Sequence, residues 1–572
     1  MSLFDFGLPP FLIFFLGAVL AAFSRGYLQK VIVLLTPIVS FLNFYQLPLD
    51  YSFFHNIYGL NLELVYSDKL ARLFGYLFHL AALIGVIYSL QVKDTIQHVA
   101  ALAYAASAIG AVFAGDWITL FLFWEALALT SVFLIWARRT ERSYRSGMRY
   151  LIMQVLSGVL LFAGALFLLK GGLPAKITAL SLTDNFNQYT TIGTWLIFIA
   201  FGIKAGFPLL HTWITDSYPE ATVSGSVFLS AFTTKVAIYV LARVFAGEEL
   251  LVTIGLTMAC FPIFFAVIEN DLRRVLTYSM INQIGFMVCG IGIGTELAIN
   301  GAVAHAFNDV LFKGLLMMSM GAVLYRVGHI NGSHLGGLYK SMPKTTILCI
   351  IGAASISAFP LFNGFVSKAI IMGEVLHAGH TIGWLMLLFA AAGVFHHAGI
   401  KIPFFAFFAH DSGLKVKEAP INMLIAMSIG AAFCIGIGMN PQYLYQLLPF
   451  DMDYSPYDLT HVVTQLQLLF FSALAFVFLN LKGLYPPELR STNLDSDWFL
   501  RRLFPAIYRY FKQSVQTLQT LMQKLGSQIM EKQINLLKKS SGPNGILSRG
   551  WGANNMIFIV ILLLGALLLY DF

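Results

Sequence analysis

The feature that most constrains the fold of this chain is a succession of apolar runs, each long enough to cross a lipid bilayer. A hydrocarbon core of about 30 Å needs about 17–25 apolar residues in helical form. Such runs fall near 8–22, 28–45, 75–92, 97–114, 117–136, 148–169, 193–210, 223–244, 249–268, 274–294, 299–325, 345–372, 384–407, 420–440, 462–482 and 555–571. Inside hydrocarbon each backbone N–H and C=O needs a partner within its own segment, so the runs are read as helices. They predict an all-α polytopic membrane protein with about 14–16 transmembrane helices. The first run is short, and Pro360, Asn363 and Gly364 interrupt the run 345–372. A soluble alternative fails on charge. Only 11% of the residues are charged and 58% are hydrophobic, against about 25% charged in a soluble domain.

The start, MSLFDFGLPPFLIFFLGAVLAAFSRG, has no basic stretch before its apolar run and no clear small-residue cleavage motif after it. It therefore reads as the first span and not as a cleavable signal. The net charge of +8 comes mostly from Lys and Arg that flank the spans, which is no footprint for nucleic acid. Arg138, Arg139, Arg142, Arg145 and Arg149 form the most basic short loop, which the positive-inside rule places in the cytoplasm. Counting outward, the loops 271–274, 326–344 and 415–418 fall on the same side, and the acidic loop 441–461 on the other. Both chain ends then face outside. Cys260, Cys289, Cys349 and Cys434 lie in apolar segments, without metal-ligand or disulfide spacing, and read as packing residues.

Charges inside the spans carry the functional signal. On insertion scales a charged side chain at the bilayer centre costs about 2.5–3.5 kcal/mol. Lys204 and Lys235 both sit in apolar segments, and between them lies a break with Pro208, His211, Asp216, Pro219 and Glu220. Broken backbone at membrane depth persists only where protein buries it or where it lines a cavity, and such helices form ion sites in many transporters. Glu125 stands near the middle of its span with no basic residue nearby in sequence. His305, Asp309 and Lys313 are spaced i, i+4, i+8, which stacks them on one helix face. Lys401 stands beside Pro403. Lys368 follows the break at Pro360 to Gly364 and reads equally well as a lysine reaching for the interface. His79 reads as a satisfied packing residue. Mid-span acids and bases recurring on five helices exceed what structure alone requires.

An internal echo accompanies them. Gly202-Ile203-Lys204 and Gly399-Ile400-Lys401 each precede a proline in an apolar helix, as paired interrupted helices of two repeats would. No phosphate-binding loop, dinucleotide fingerprint or cysteine cluster is present in the sequence, so no cofactor is expected and the work must come from an ion gradient or from partner subunits. Near the end, residues 498–540 carry Leu503, Ile507, Phe511, Val515, Leu518, Met522, Leu525 and Ile529 at three- and four-residue steps. The pattern predicts an amphipathic helix, either lying on the cytoplasmic membrane surface or bracing neighbouring subunits.

These residues resemble the proton-conducting antiporter family, which includes the large subunits of Mrp-type sodium/proton antiporters and the antiporter-like subunits of complex I. The resemblance rests on Phe123-Trp124-Glu125-Ala126, on Lys204 to Pro208 with His211-Thr212-Trp213, and on Ala231 to Lys235. It extends to Asp271 through Ser279 with Gln283-Ile284-Gly285, and to His305 through Lys313. The D-type Mrp subunit is the nearest in look. The resemblance implies two inverted five-helix repeats with broken helices, at 97–245 and 246–419. N-terminal helices would cover 1–96, further spans 420–482, a cytoplasmic amphipathic segment 483–554 and a final anchor 555–572. It also implies that Glu125 pairs with Lys204 and that protons pass by Lys235 and His305 toward Lys313 and Lys401. Asp309 stands where many members carry a second histidine. The expected function is a proton-translocating, non-enzymatic subunit of a monovalent cation (Na+)/proton antiporter in the plasma membrane, working with other membrane subunits. The alternative is a proton-pumping membrane subunit of a complex I-type oxidoreductase or a membrane-bound hydrogenase.

Overall fold

The structure is a computed structural model that describes residues 8–57, 59–183, 187–486, 489, 493–545 and 548–570. Apolar runs become helices, and short polar signals set their ends. After α1 (Pro10–Phe23) and α2 (Gly26–Tyr45) come α3 (Lys69–Ser89), α4 (Thr95–Phe113) and α5 (Trp117–Trp136). Asp68, Asp94 and Asp116 cap the last three by accepting first-turn backbone N–H groups. Reciprocal capping boxes at Thr140/Ser143 and Asn187/Thr190 open α6 (Glu141–Lys170) and α7 (Gln188–Ala205). Next are α8 (Thr212–Ser217), α9 (Gly225–Ala231), α10 (Thr233–Val244) and α11 (Glu249–Ile268). Asp271 caps α12 (Leu272–Ile293), and Thr295 caps α13 (Glu296–Val327). α14 (Pro343–Ile356) and α15 (Asn363–His377) follow, then α16 (Thr381–Val394), which runs on through π-helical turns at Phe395–Ile400 and Phe404–Phe408. Helices Ile421–Met439 and Leu459–Leu481 complete a compact unit that ends at Asn493.

Among the described residues, 13 helices are long and apolar enough to cross a membrane. The remaining predicted runs are the short α1 and the interrupted pairs α7–α8 and α14–α15. One region departs from the all-α reading. Residues between the second and third runs form an antiparallel hairpin, β1 (Tyr51–Ile57) and β2 (Leu60–Ser67), with a register irregularity at Phe53/Phe54. The connection is too short and too polar for a span, and paired strands satisfy its backbone.

Hydrogen bonds sort the loops into two faces. On one, Arg138 Nη1 donates to the Pro219 carbonyl at 2.8 Å, Arg273 Nη2 donates to the Ala221 carbonyl at 3.2 Å and Arg326 Nη2 donates to the Glu418 carbonyl at 2.6 Å. This basic face gathers the loops after α5, α8, α11, α13 and α16. On the opposite face Lys69 pairs with Asp451 at 3.2 Å, and Asn300 Nδ2 donates to the Phe450 carbonyl at 2.7 Å. The two sets match the sidedness counted from the sequence.

Small residues let α11 and α12 approach closely. A side chain at Gly255 would lie 2.4 Å from the Cys289 nitrogen, and one at Gly285 would lie 2.4 Å from the Ala259 nitrogen. The polar helices occupy the middle. Of the apolar window in α12, 94% is buried, as is 94% of that in 225–244, against 11% in Leu459–Leu481. Lys235, His305, Asp309 and Lys313 therefore stand on helices enclosed mostly by protein, whereas the windows of the helices that carry Glu125 and Lys401 are 50% and 44% buried.

Residues Leu494–Phe572 form a second unit. Its helix Phe504–Ser541 is amphipathic, as the spacing predicts, and leaves Ile507, Phe511, Leu518, Met522, Leu525 and Ile529 exposed. The helix Ala553–Tyr570 follows it.

Candidate ion-translocation axis

The first group forms where α7 stops. Gly206 adopts a left-handed conformation, φ 80°, which ends the helix one residue after Lys204. Trp213 of α8 returns to the gap and donates Nε1–H to the Ile203 carbonyl at 2.8 Å. Lys204 is fully buried. Its Nζ donates to the Trp124 carbonyl at 2.5 Å and lies 4.3 Å from the centre of the Trp124 ring. The indole is itself fixed, since Nε1–H donates to Ser157 Oγ at 2.9 Å and Ser157 donates to the Ala200 carbonyl at 2.7 Å. Glu125, one residue on, is half-buried with its side chain against Gly158. Its Oε1 is enclosed without a hydrogen-bond partner. Glu125 and Lys204 act on each other electrostatically, yet no ion pair joins them among the described residues. The pairing implied by the family resemblance is an open contact here, with the ammonium turned to a carbonyl and a ring.

The second group is closed. Between α9 and α10 the helix slips at Phe232, and Tyr104 repairs the gap. Its hydroxyl accepts the Thr233 N–H at 3.0 Å and lies 2.6 Å from Thr233 Oγ1. Lys235 follows within a turn. Its Nζ donates to the freed Ser230 carbonyl at 3.3 Å and stands 2.5 Å from Asp309 Oδ2, both side chains fully buried. His305, Asp309 and Lys313 do share one face of α13. His305 Nδ1 lies 3.0 Å from Ser367 Oγ, and its Nε2 lies 3.0 Å from Gln283 Oε1. Lys313 Nζ donates to Ser279 Oγ at 2.8 Å.

Lys368, left open by the sequence, belongs to this group. It sits one turn into α15, just past the second helix break, and donates to the Ile356 carbonyl at 3.1 Å across that break. Its Nζ is 5.1 Å from the centre of the Phe286 ring. The Asp309 carboxylate acts electrostatically on both Lys313 and Lys368 as well as pairing with Lys235. Three lysines thus feel one carboxylate. In a low-dielectric site the charge on each lysine raises the cost of charge on the next, so their protons are linked.

Lys401 lies elsewhere. Its Nζ donates to three carbonyls at the end of α11, those of Ala266 at 3.2 Å, Val267 at 2.6 Å and Glu269 at 2.7 Å. The Gly-Ile-Lys echo has no counterpart in backbone form. Lys204 precedes a break, whereas Lys401 lies in a helix that continues through π-turns. The better signal was the interruption itself, Pro360 to Gly364, which points to Lys368. His79 is satisfied, with Nε2 2.9 Å from Ser40 Oγ and Nδ1 2.7 Å from the Gly75 carbonyl. In the α7–α8 region, Asp216 pairs with Arg149 at 2.7 Å and Glu220 pairs with Arg142 at 2.7 Å, on the basic face. Among the described residues no group of three or more His, Cys, Asp or Glu side chains is placed to hold a metal ion.

A polytopic helical protein with buried lysines at two helix breaks and a buried carboxylate beside Lys235 has the features of an ion-translocating membrane protein. Residues 114–395 match the family described as NADH:quinone oxidoreductase/Mrp antiporter, transmembrane. The D-type subunit of the Na(+)/H(+) antiporter of Alkalihalophilus pseudofirmus is 28% identical over 373 residues, 61% of this chain and 73% of that protein. Hydrogenase-4 component B of Escherichia coli is 27% identical over 358 residues, 56% of this chain and 53% of that protein. In three dimensions the chain resembles the Mrp complex of Dietzia sp. DQ12-45-1b, with a TM-score of 0.74 and 22% identity, covering 98% of this chain and 61% of that one.

Proposed function

We propose that this chain is the proton-translocating subunit of a monovalent cation (Na+)/proton antiporter in the plasma membrane, assembled with other membrane subunits. The observation that carries the reading is the fully buried Lys235–Asp309 pair, flanked by further buried lysines at two helix breaks. Burial disfavours an ammonium, and a nearby carboxylate restores it. When Glu125 engages Lys204, that lysine holds its proton. When the two separate, Lys204 releases it toward Lys235. Arrival of a charge there competes for Asp309, which loosens the hold on Lys313 and Lys368. Protons thereby shift along Glu125, Lys204, Lys235, His305, Asp309, Lys313 and Lys368. Lys401 stands at the margin of this set, next to the basic face. That face is the cytoplasmic one by its excess of Lys and Arg.

The Alkalihalophilus relative supplies the antiporter term of this reading, since it is named for Na(+)/H(+) exchange and the chain spans 73% of it. A second reading draws on the hydrogenase-4 component, of which the chain spans about half. There the same axis would pump protons under redox drive. The amphipathic helix Phe504–Ser541 serves either assembly as a lateral brace against a neighbouring subunit.

The test is dye-monitored proton exchange in inverted vesicles holding the assembled complex. Lys204→Ala is expected to abolish exchange with assembly mostly intact, and near-wild-type exchange at normal expression would end the proposal. Exchange driven by a Na+ gradient alone supports the antiporter reading, and transport that requires an electron donor supports the second.

A further inference from the structure

Among the described residues, His397 is a fully buried side chain whose ring nitrogens, Nδ1 and Nε2, are both enclosed without a hydrogen-bond partner. The Gly393 carbonyl lies beside the ring but out of hydrogen-bond alignment. An imidazole left this way is costly, and a structural histidine in a tight interior is ordinarily satisfied, as His79 is.

Its setting is unusual in a second way. His397 lies in the π-helical turn Phe395–Ile400, which opens the regular hydrogen-bond ladder, and such turns concentrate at functional sites. The turn packs on the break between α14 and α15. A side chain at Gly399 would lie 2.2 Å from Ser357 Oγ, and Gln465 Nε2 donates to the Ser357 carbonyl at 3.1 Å. At the same break Ser355 Oγ and Asn363 Oδ1 are also enclosed and unpartnered. Unmet polar atoms in an interior are what intermittent water would satisfy.

The charged and titratable groups acting on His397 are Lys313 from α13, and His396 and Lys401 from its own segment. The ring thus feels both the end of the His305–Asp309–Lys313 face and Lys401, which is seated on the carbonyls that lead to Glu269. The Glu269 carboxylate lies 3.8 Å from Arg274, whose side chain is 24% exposed on the basic face.

We infer that His397 is a proton-transfer residue linking Lys313 to the basic face of the membrane. A proton from water on that face adds to one ring nitrogen, and the proton on the other nitrogen passes to the neutral amine of Lys313. The imidazole ends neutral in its other tautomer and resets by ring rotation. No electrons move, and one proton enters the axis for each one taken from water. The inference rests on the proposed function and deepens it, since it supplies the second half of the axis with its own uptake route.

The experiment compares His397→Gln and His397→Ala with wild type and with Lys204→Ala, all in the assembled complex in inverted vesicles. Both His397 variants are expected to assemble, to lose roughly tenfold or more of the exchange rate, and to show an altered pH–rate profile. Imidazole added to His397→Ala is expected to restore exchange in proportion to its concentration, which a packing role would not allow. Wild-type rate and pH profile in the His397 variants, with Lys204→Ala silent, overturns the inference and leaves the proposed function standing. Failure of both variants to assemble, or a loss that imidazole does not restore, also overturns it, because the histidine is then structural. Normal exchange by Lys204→Ala removes the reading on which the inference rests.

Discussion

Lys204 and Lys235 are both fully buried, both stand at irregular points of a helix, and both use a backbone carbonyl, yet they are held differently. Lys235 has a carboxylate at 2.5 Å. Lys204 has a ring and a carbonyl, with its carboxylate one residue away and unengaged. Under the proposed function, the difference teaches that the two groups are held in opposite states, with Glu125 free to approach Lys204 and Asp309 already engaged by Lys235. A transport cycle of the proposed kind would use both states.

The largest expected effect comes from unlocking the closed group. Asp309→Asn leaves Lys235 buried without its counter-charge, and truncating one partner of a buried pair typically costs about 3–5 kcal/mol. Thermal inactivation of the purified complex should show the loss, and Lys235→Met added to Asp309→Asn should recover stability without recovering exchange. If Asp309→Asn is as stable as wild type, the pair is not held as described. Next in size is Lys204→Arg. Arginine stays protonated and cannot cycle, so exchange should fall about 100-fold although the charge is kept. Retained exchange would make Lys204 a fixed charge and erase the contrast between the groups.

Glu125→Gln acts on the open group more mildly. Losing the carboxylate makes the Lys204 ammonium easier to deprotonate, so the pH optimum of exchange should move to lower pH. A displacement of about one pH unit corresponds to about 1.4 kcal/mol. Glu125→Gln combined with Lys204→Ala should be little worse than Lys204→Ala alone. An unchanged rate and profile for Glu125→Gln would make the glutamate a packing residue. The smallest effect is expected from Gly158→Ala. The added carbon would fall 1.4 Å from Glu125 Oε1, so the carboxylate must move while its charge remains. Exchange should shift by a fraction of the Glu125→Gln displacement, and no shift would mean that the carboxylate's position is immaterial.

Local pattern and long-range geometry were unequally legible. The helices followed from apolar length, and their sidedness followed from the basic loops. The His305–Asp309–Lys313 face followed from helical spacing alone. What could not be read is tertiary. Nothing near Lys235 in sequence announces Asp309, which lies on another helix. The pairing of Glu125 with Lys204 is implied by the family resemblance alone, whereas the acceptor that Lys204 uses is a carbonyl, which every residue carries. The hairpin 51–67 escaped notice because it is short and half-exposed. Lys368 stays open in the sequence because its depth in the membrane is not visible there. The interruption that marks Lys368 depends on proline, asparagine and glycine, whose effect on backbone is the firmer guide.

Both helix breaks contain residues other than glycine in the left-handed region, Leu209 at φ 69° in the first and Ala358 and Leu361 at φ 57° and 73° in the second. Each such residue carries on the order of 1–3 kcal/mol of conformational energy that its surroundings must offset. The consequence is one of mutational tolerance. In a library scanned for function, positions 209, 358 and 361 should accept glycine and asparagine more readily than valine or isoleucine, although a lipid-facing leucine would ordinarily accept the reverse. Leu209 and Leu361 are largely exposed, so side-chain packing does not explain such a preference. Backbone shape alone would leave its mark on which sequences the two breaks can use.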